Sequence, residues 1–343
     1  MAIRLKDIAA DVGVSTITVS KVLRNKRDVG EETRRRVLQR VKELNYRPNL
    51  LARGLASGKS QTIGLIVPDL VHTFFAEFAK GLKAGLRSRG YQLILASAEE
   101  EPELEREEIQ NLLARGVDAL LVASCQVSAE GFEAIVDSGI PYVLIDRMLP
   151  DLPSHFVGTD DVRAGFLATE HLISLGRKRI AHLAGKGVST GVERFKGYQD
   201  ALAAARIAFQ PSLVIGSSRL EESGDQIGRS AMEQLLALKR RPDAVFCYND
   251  LTAVGAIGCI LNADLRVPED IAVIGCGNLR LATYLEVPLS SVDQSTLEQG
   301  EQAAKLTVSL LSGAQRPGLR EILIDPRVIA RASTIGKIPK ILR

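Results

Sequence analysis

The sequence predicts an N-terminal all-α head followed by an α/β body of two doubly wound parallel-sheet lobes. Three observations carry this. The 343 residues are 45% hydrophobic and 25% charged, an ordinary folded composition long enough for two or three domains. Charge divides unevenly: residues 1–60 hold 14 Lys and Arg against 6 Asp and Glu, a net of +8, and the rest of the chain nets −5. Hydrophobic spacing changes with the charge. It is helical at first, then alternates between continuous apolar runs and amphipathic stretches.

Several classes are excluded early. No apolar run approaches the ~18 residues of a membrane span. Lys6, Asp7 and Asp11 interrupt the stretch where a signal peptide needs an apolar core, so a cytoplasmic protein is expected. Cys125, Cys247, Cys259 and Cys276 form no CxxC pair and have no histidine at ligand spacing, and His72, His155, His171 and His182 are scattered. Buried thiols in a reducing compartment are expected, with no metal and no cofactor. The basic head suggests a polyanion partner, the alternative being a basic solvated surface.

Taken in order, "LKDIAADVG" puts Leu5, Ile8, Ala9 and Val12 on one helical face and stops at Gly13. "STITVSKVLRN" follows a short turn, with Ser15 as N-cap and Val19, Val22 and Leu23 as core face. "EETRRRVLQRVKELNY" carries Val37, Leu38, Val41 and Leu44 on one stripe, with Glu31 and Glu32 where the helix dipole favours acids. Two helices across a tight glycine turn, with a third packed on them, describe a helix-turn-helix whose second helix enters the major groove. Ile17 and Lys21 point away from the core face. An exposed Ile17 suits a thymine methyl, Lys21 suits guanine acceptors, and Thr16 and Thr18 suit either. The alternative for Ile17 is packing against a neighbouring loop.

In "YRPNLLARGLASGKSQ", Pro48 breaks the preceding helix, Asn49 caps a new one, and Leu51 and Leu55 fall four apart before Gly58. So short a helix, with Gly54 inside it, forms only when something packs on it. "GLASGKS" is no phosphate loop, because the spacing requires glycine where Arg53 stands.

These segments, with "VGEETRRRVLQRVKELNYRPNLLARGLASGKSQTIGLIVPD", resemble the lactose-repressor (LacI/GalR) family of bacterial transcription regulators over essentially the whole chain. The resemblance implies that Thr16, Ile17 and Lys21 read bases of double-stranded operator DNA. It implies that the segment after Pro48 is a hinge helix ordered on operator, with Leu55 wedged into the minor groove. Ser15, Ser20, Asn25 and Tyr46 match positions that touch phosphates. The expected domains are a helix-turn-helix at 1–47, a hinge and linker at 48–60, and an effector-binding and dimerisation body at 61–343.

In the body, "TIGLIVP", "YQLILAS", "DALLVAS", "IPYVLID", "RIAHLAG", "DAVFCYND" and "IAVIGCG" alternate with helical or turn signals. Such runs indicate parallel sheets covered on both faces, in two sets near 62–160 and 162–290, with a helix and two further strands in the tail 291–335. The resemblance implies a periplasmic-binding-protein-like body with three crossings, near Gly158–Val162, Ser290–Gln294 and Leu323–Arg327. Its N-lobe takes about 61–160 and 295–324, and its C-lobe about 161–291 and 326–343. Ligands then sit between the lobes at strand carboxyl ends. By position the effector contacts are Phe74, Phe75, Asp146, Arg147, Asp160, Arg194, Arg219, Asn249, Asp250 and Asn278. A helix cap or a hinge bond is the alternative for Asp146, Asp160, Arg194 and Asp250.

Two departures from the family pattern bear on the ligand. The aspartate of "GYDN" is replaced by Gly277 in "GCGN", and a common aromatic position is Arg219. One acid fewer and a guanidinium more predict an anionic effector, a sugar acid or sugar phosphate. The alternative is Arg219 in solvent, neutralised by Glu221 or Glu222. "GCGNLR" fails as a dinucleotide fingerprint at Arg280, and no nucleophile stands with a base, so no enzyme is expected. The expected function is a ligand-responsive, sequence-specific DNA-binding transcription regulator, a repressor of carbohydrate or sugar-acid metabolism genes. The alternative is a sugar-binding protein without regulatory role, for which a basic head has no use. A homodimer is expected, because "IGKIPKILR", with Pro339, is too short for a tetramerising heptad helix.

Overall fold

Helices form in the first 60 residues where apolar residues recur at helical spacing: α1 Leu5–Val12, α2 Thr16–Leu23 and α3 Glu31–Glu43. The computed structural model describes residues 3–23, 25–26, 28–46, 58–217, 224–313 and 318–336. It divides into two compact units between Ser60 and Gln61. Gly13 ends α1 at φ 70°, a left-handed cap that glycine adopts without strain. The Ser15 hydroxyl caps α2 by accepting from the Thr18 N–H at 3.1 Å. Ile8, Ala9, Val12, Val19, Val22 and Val37 make the head core. Leu38 departs from the expected stripe and is 46% exposed. It stands one residue, about 100° of helix rotation, from Val37, which turns it off the face that Val37, Val41 and Leu44 share.

In the second unit, β1 Thr62–Val67, β2 Gln92–Ser97, β3 Ala119–Val122, β4 Tyr142–Ile145, β5 His155–Thr159 and β11 Glu321–Ile324 form one sheet, ordered β11-β5-β4-β3-β1-β2. A second sheet joins β6 Ile180–Gly185, β7 Val214–Ser217, β8 Ala244–Cys247, β9 Ala272–Cys276, β10 Ser290–Asp293 and β12 Arg327–Ile329, ordered β12-β10-β9-β8-β6-β7. The two parallel-sheet lobes read from the sequence are therefore present, with one difference. The β10–β12 pairing is antiparallel, because β12 follows β11 after only two residues and no helix returns the chain.

Helices α4 Thr73–Arg87, α5 Pro102–Ala114, α6 Glu133–Ser138 and α11 Thr296–Leu311 belong to the first lobe. Helices α7 Asp161–Ser174, α8 Ser189–Ala204, α9 Gly224–Leu236, α10 Asp250–Asn262 and α12 Ala332–Ile335 belong to the second. Central strands are buried along their whole length, as both faces are covered. Helix pairs cross at glycines: a Cβ on Gly300 of α11 would overlap the Phe78 carbonyl of α4, and one on Gly197 of α8 the Val162 carbonyl of α7.

The chain passes between lobes three times: after β5, after β10 and between β11 and β12. The three passages stand side by side. Leu323 pairs with Gly158, and Asp293 pairs with Arg327 through a 2.8 Å ion pair. The side-chain amides of Gln294 and Gln299 donate to the Thr159 hydroxyl at 3.3 and 2.9 Å.

Candidate functional site

The first candidate surface is on the head. Thr16 and Ile17 are exposed on α2, Ile17 to 66%, and Lys21 is half-exposed, all away from the buried Val19 and Val22. Thr18 is half-buried, with its hydroxyl 2.9 Å from that of Ser15, so both serve the helix cap. Ser20 is half-buried. Asn25 adopts φ 54° and accepts from the Arg34 guanidinium at 2.8 Å. Arg34 also bonds the Lys26 carbonyl, which pins the loop after α2. Lys21 Nζ lies 2.6 Å from Asp28 Oδ2, and this hydrogen bond holds the Asp28 carboxyl below its ordinary value. Tyr46 packs against the head core. Some cations of α3 hold the head together: Arg40 pairs with Asp11 at 2.7 Å and Glu43 at 3.0 Å. Leu55 lies outside the described residues.

The second candidate site is a cleft with one wall from each lobe. On the first lobe, Asp69 accepts from the N–H groups of Val71 and His72 at 2.9 and 3.0 Å, fixing the loop after β1. His72 then caps α4 by accepting from the Phe74 N–H at 3.3 Å. Phe74 and Phe75 meet edge to face, centroids 5.1 Å apart, and His72 lies 5.8 Å from Phe75. Asp146, at φ 59° just past β4, completes this side.

On the second lobe, the Arg194 Nε donates to Asp161 Oδ1 at 2.6 Å and Nη1 donates to the Tyr248 carbonyl at 2.8 Å. The guanidinium also lies 4.9 Å over the Tyr248 ring, whose hydroxyl is 2.8 Å from that of Thr190. Burial works against both charges of the pair. Asp161 nevertheless keeps Arg194 well above its ordinary value, and Arg194 opposes the upward push that burial gives Asp161. Asn249 caps α10 by accepting from the Thr252 N–H and hydroxyl at 2.9 and 2.8 Å. Cys276, whose thiol burial pushes up to about 12, and Gln294 close the wall. The space between these walls, partly open to solvent, is about 20 Å³, enough for one water. One bond spans the lobes nearby: the Met148 N–H donates to Ser189 Oγ at 2.8 Å.

Of the residues expected from the sequence, Phe74, Phe75, Asp146, Arg194 and Asn249 meet in this cavity. Four others are engaged elsewhere. Asp160 caps α7, accepting from the Arg163 N–H at 2.8 Å. Asp250 ties β9 to β10, accepting from the Leu279 N–H at 2.7 Å and the Ser291 hydroxyl at 2.6 Å. Asn278 accepts from Arg331 at 2.6 Å. Arg147 is buried, donating to the Ser124 carbonyl at 3.3 Å. Arg219, Glu221 and Glu222 lie outside the described residues. Each described guanidinium near the cavity faces a carboxylate, Arg194 at Asp161 and Arg147 Nε 3.7 Å from Asp146. The expected surplus of positive charge therefore rests on Arg219 alone.

Sequence reasoning missed His72, Asp161, Tyr248, Cys276 and Gln294. Tyr248 and Cys276 stood inside the quoted strand ends "FCYND" and "GCGN". Asp161 gave no signal, since an acid in a first helical turn reads as dipole complement. The glycine at 277 has a local reason: its φ is 130°, a backbone conformation that side-chain-bearing residues rarely adopt. Among the described residues no group of three His, Cys, Asp or Glu could hold a metal ion, and no helix is long and apolar enough to cross a membrane.

Comparison with known proteins finds relatives for both units of the chain. Residues 4–49 match the model for bacterial regulatory proteins of the lacI family, and residues 169–334 match that for a periplasmic-binding-protein-like domain. The HTH-type transcriptional repressor PurR of Haemophilus influenzae is 32% identical over 335 residues, covering 96% of this chain and 98% of that protein. The ribose operon repressor of the same species is 34% identical over 334 residues, with the same coverage. The structure of the Lac repressor dimer bound to operator and the anti-inducer ONPF superposes with a TM-score of 0.86 at 25% identity, covering 97% of this chain and 99% of that one.

Proposed function

The chain belongs to the lacI family of bacterial regulatory proteins and is a DNA-binding transcription regulator, and from that premise we propose that it is a repressor whose hold on operator is set by a small carbohydrate in the cleft. The observation that carries this is the origin of the cleft walls. Rings of the first lobe face a guanidinium, an amide and a phenol-backed carbonyl of the second, so a bound molecule touches both lobes and biases their arrangement. A cavity of about 20 Å³ admits no sugar until the lobes separate. Opening and reclosing is the event that a ligand controls.

Thr16, Ile17 and Lys21 are the base-reading residues of this proposal, and Leu55 its minor-groove wedge. The effector of this proposal is a neutral polyhydroxylated molecule, supported by the described guanidiniums, as the charges of Arg194 and Arg147 are met by Asp161 and Asp146; an acid or phosphate is the effector if Arg219 faces the cleft. The functional unit is a homodimer. It is supported by Leu70, Val71, Leu281 and Tyr284, which stand 52–79% exposed on the single chain, and by the dimeric state of the Lac repressor in the matched structure.

The test selects a preferred duplex from a random library with the full chain. Operator release is then followed by fluorescence anisotropy across a panel of neutral pentoses and hexoses, with their sugar acids and phosphates. Release or tightening by a neutral sugar alone supports the proposal. A response confined to the acids or phosphates reverses the effector class, and no duplex enriched over random DNA would remove the regulatory reading.

A further inference from the structure

We infer that Asp28 is a specificity-determining residue of the DNA interface: bonded to Lys21, it withholds that ammonium from phosphates and directs its remaining donors to base edges. The inference rests on the assignment of Lys21 to base reading. A lysine head is a compact charge with three donors on a flexible stem. Left to itself beside DNA, it gains most from the phosphates, whose contacts carry affinity without sequence information.

In this head Lys21 is not left to itself. Its Nζ is 2.6 Å from Asp28 Oδ2, and the two side chains are 40% and 56% exposed, open to a DNA surface. The carboxylate is held in place. The loop that bears it leaves α2 through a bond from the Lys26 N–H to the Lys21 carbonyl at 3.0 Å. Arg34 then ties Asn25 and Lys26 to α3. Asp28 is thus an anchored acceptor, one residue short of Val29, which packs on the head core.

Two consequences follow. One of the three Lys21 donors is committed, and the two that remain match the O6 and N7 acceptors of one guanine. The carboxylate also repels phosphates, so any docking that slides Lys21 towards the backbone brings Asp28 against like charge. Affinity for random DNA falls more than affinity for the right sequence, and the ratio between them rises.

The experiment uses the full chain and the duplex enriched from a random library. Wild type, Asp28→Asn, Asp28→Ser, Lys21→Met and the Asp28→Asn/Lys21→Met double variant are titrated on that duplex and on random duplex across a range of salt. Both Asp28 variants should bind random duplex about two- to fivefold tighter, the size of an exposed charge pair. Their log–log salt slope should steepen by about one per half-site, each head releasing one more counterion. Their ratio of selected to random affinity should drop. Lys21→Met should lose a guanine preference once per half-site, and adding Asp28→Asn to it should change ratio and slope by less than the same substitution does in the wild type. If Lys21→Met abolishes a base preference while both Asp28 variants keep the wild-type ratio and slope, the inference is overturned and the base-reading assignment stands. If Lys21→Met leaves every base preference intact, both fail. Disagreement between Asn and Ser at position 28 would trace the effect to the loop rather than the charge, and would also overturn it.

Discussion

Equivalent strand ends feed the cleft from the two sheets, β11-β5-β4-β3-β1-β2 and β12-β10-β9-β8-β6-β7, but what they deliver differs. The first lobe offers the His72, Phe74 and Phe75 rings and one carboxylate. The second offers Arg194, Asn249 and Tyr248, each already fixed by a bond to Asp161, Thr252 or Thr190. A ring wall holds a ligand by area and tolerates small shifts. A wall of oriented donors does not, because hydrogen bonds weaken steeply with angle. Selectivity therefore belongs to the second lobe, and compliance to the first.

The largest test of this contrast removes a charge. Arg194→Met leaves Asp161 buried without a partner and should destabilise the body by about 3–5 kcal/mol in urea unfolding. Phe75→Leu in the opposite wall should cost under about 1.5 kcal/mol, as a hydrophobic swap of similar volume. Equal losses would erase the distinction between the walls.

Acid should act through the second lobe as well. His182 is fully buried, with Nδ1 2.9 Å from the Phe246 carbonyl and its ring stacked 4.6 Å from that of Phe246. Burial outweighs that bond and holds the imidazole at about 4, against an ordinary 6.5. Between those values the unfolded chain takes up a proton that the fold refuses. Stability is full above pH 6.5 and falls towards pH 4, by about 3 kcal/mol for this group. His182→Phe should flatten that part of the pH profile; an unchanged profile would remove His182 as its source.

A third test asks where the lobes are alike. Gly197→Ala and Gly300→Ala each push a methyl into a facing carbonyl, and both should cost about 1–3 kcal/mol in thermal or urea unfolding. A cost in one lobe only would mean that the other helix pair can slide apart. The smallest effect concerns the bond between lobes. Ser189→Ala removes the acceptor of the Met148 N–H, worth about 1 kcal/mol, and should speed exchange of that amide about fivefold while leaving global unfolding nearly unchanged.

The fold was legible because its signals are local. Apolar runs such as "TIGLIV" and "IAHLAG" are strands buried along nearly their whole length, and Gly13 and Ser15 end and begin helices by their own backbone and hydroxyl chemistry. The candidate site was legible only in part. Asp146 and Asn249 stand just past strand ends, and Phe74 and Phe75 open the helix after β1, so position along the chain finds them. Asp161 and Gln294 matter through partners 33 and 135 residues away, Arg194 and Thr159, and no spacing reports such pairs. Neighbouring acids were confused for the same reason: Asp160 and Asp161 read alike in sequence, yet one caps a helix and the other is buried under a guanidinium.

The threefold passage between lobes also dictates when each lobe can be completed during synthesis. The first lobe begins at β1 but receives α11 and β11 only from residues 296–324, after most of the second lobe has emerged. The second lobe in turn waits for β10 and β12. Until those strands arrive, the sheet edges at β5 and β9 have no neighbour, and the face of α4 that meets Gly300 is bare. A nascent chain halted after β9 would carry two unfinished sheets rather than one finished domain and one missing. Maturation of the body is therefore a single late event at the ribosome, with the last fifty or so residues closing both lobes together, and unpaired edges are open to aggregation until then.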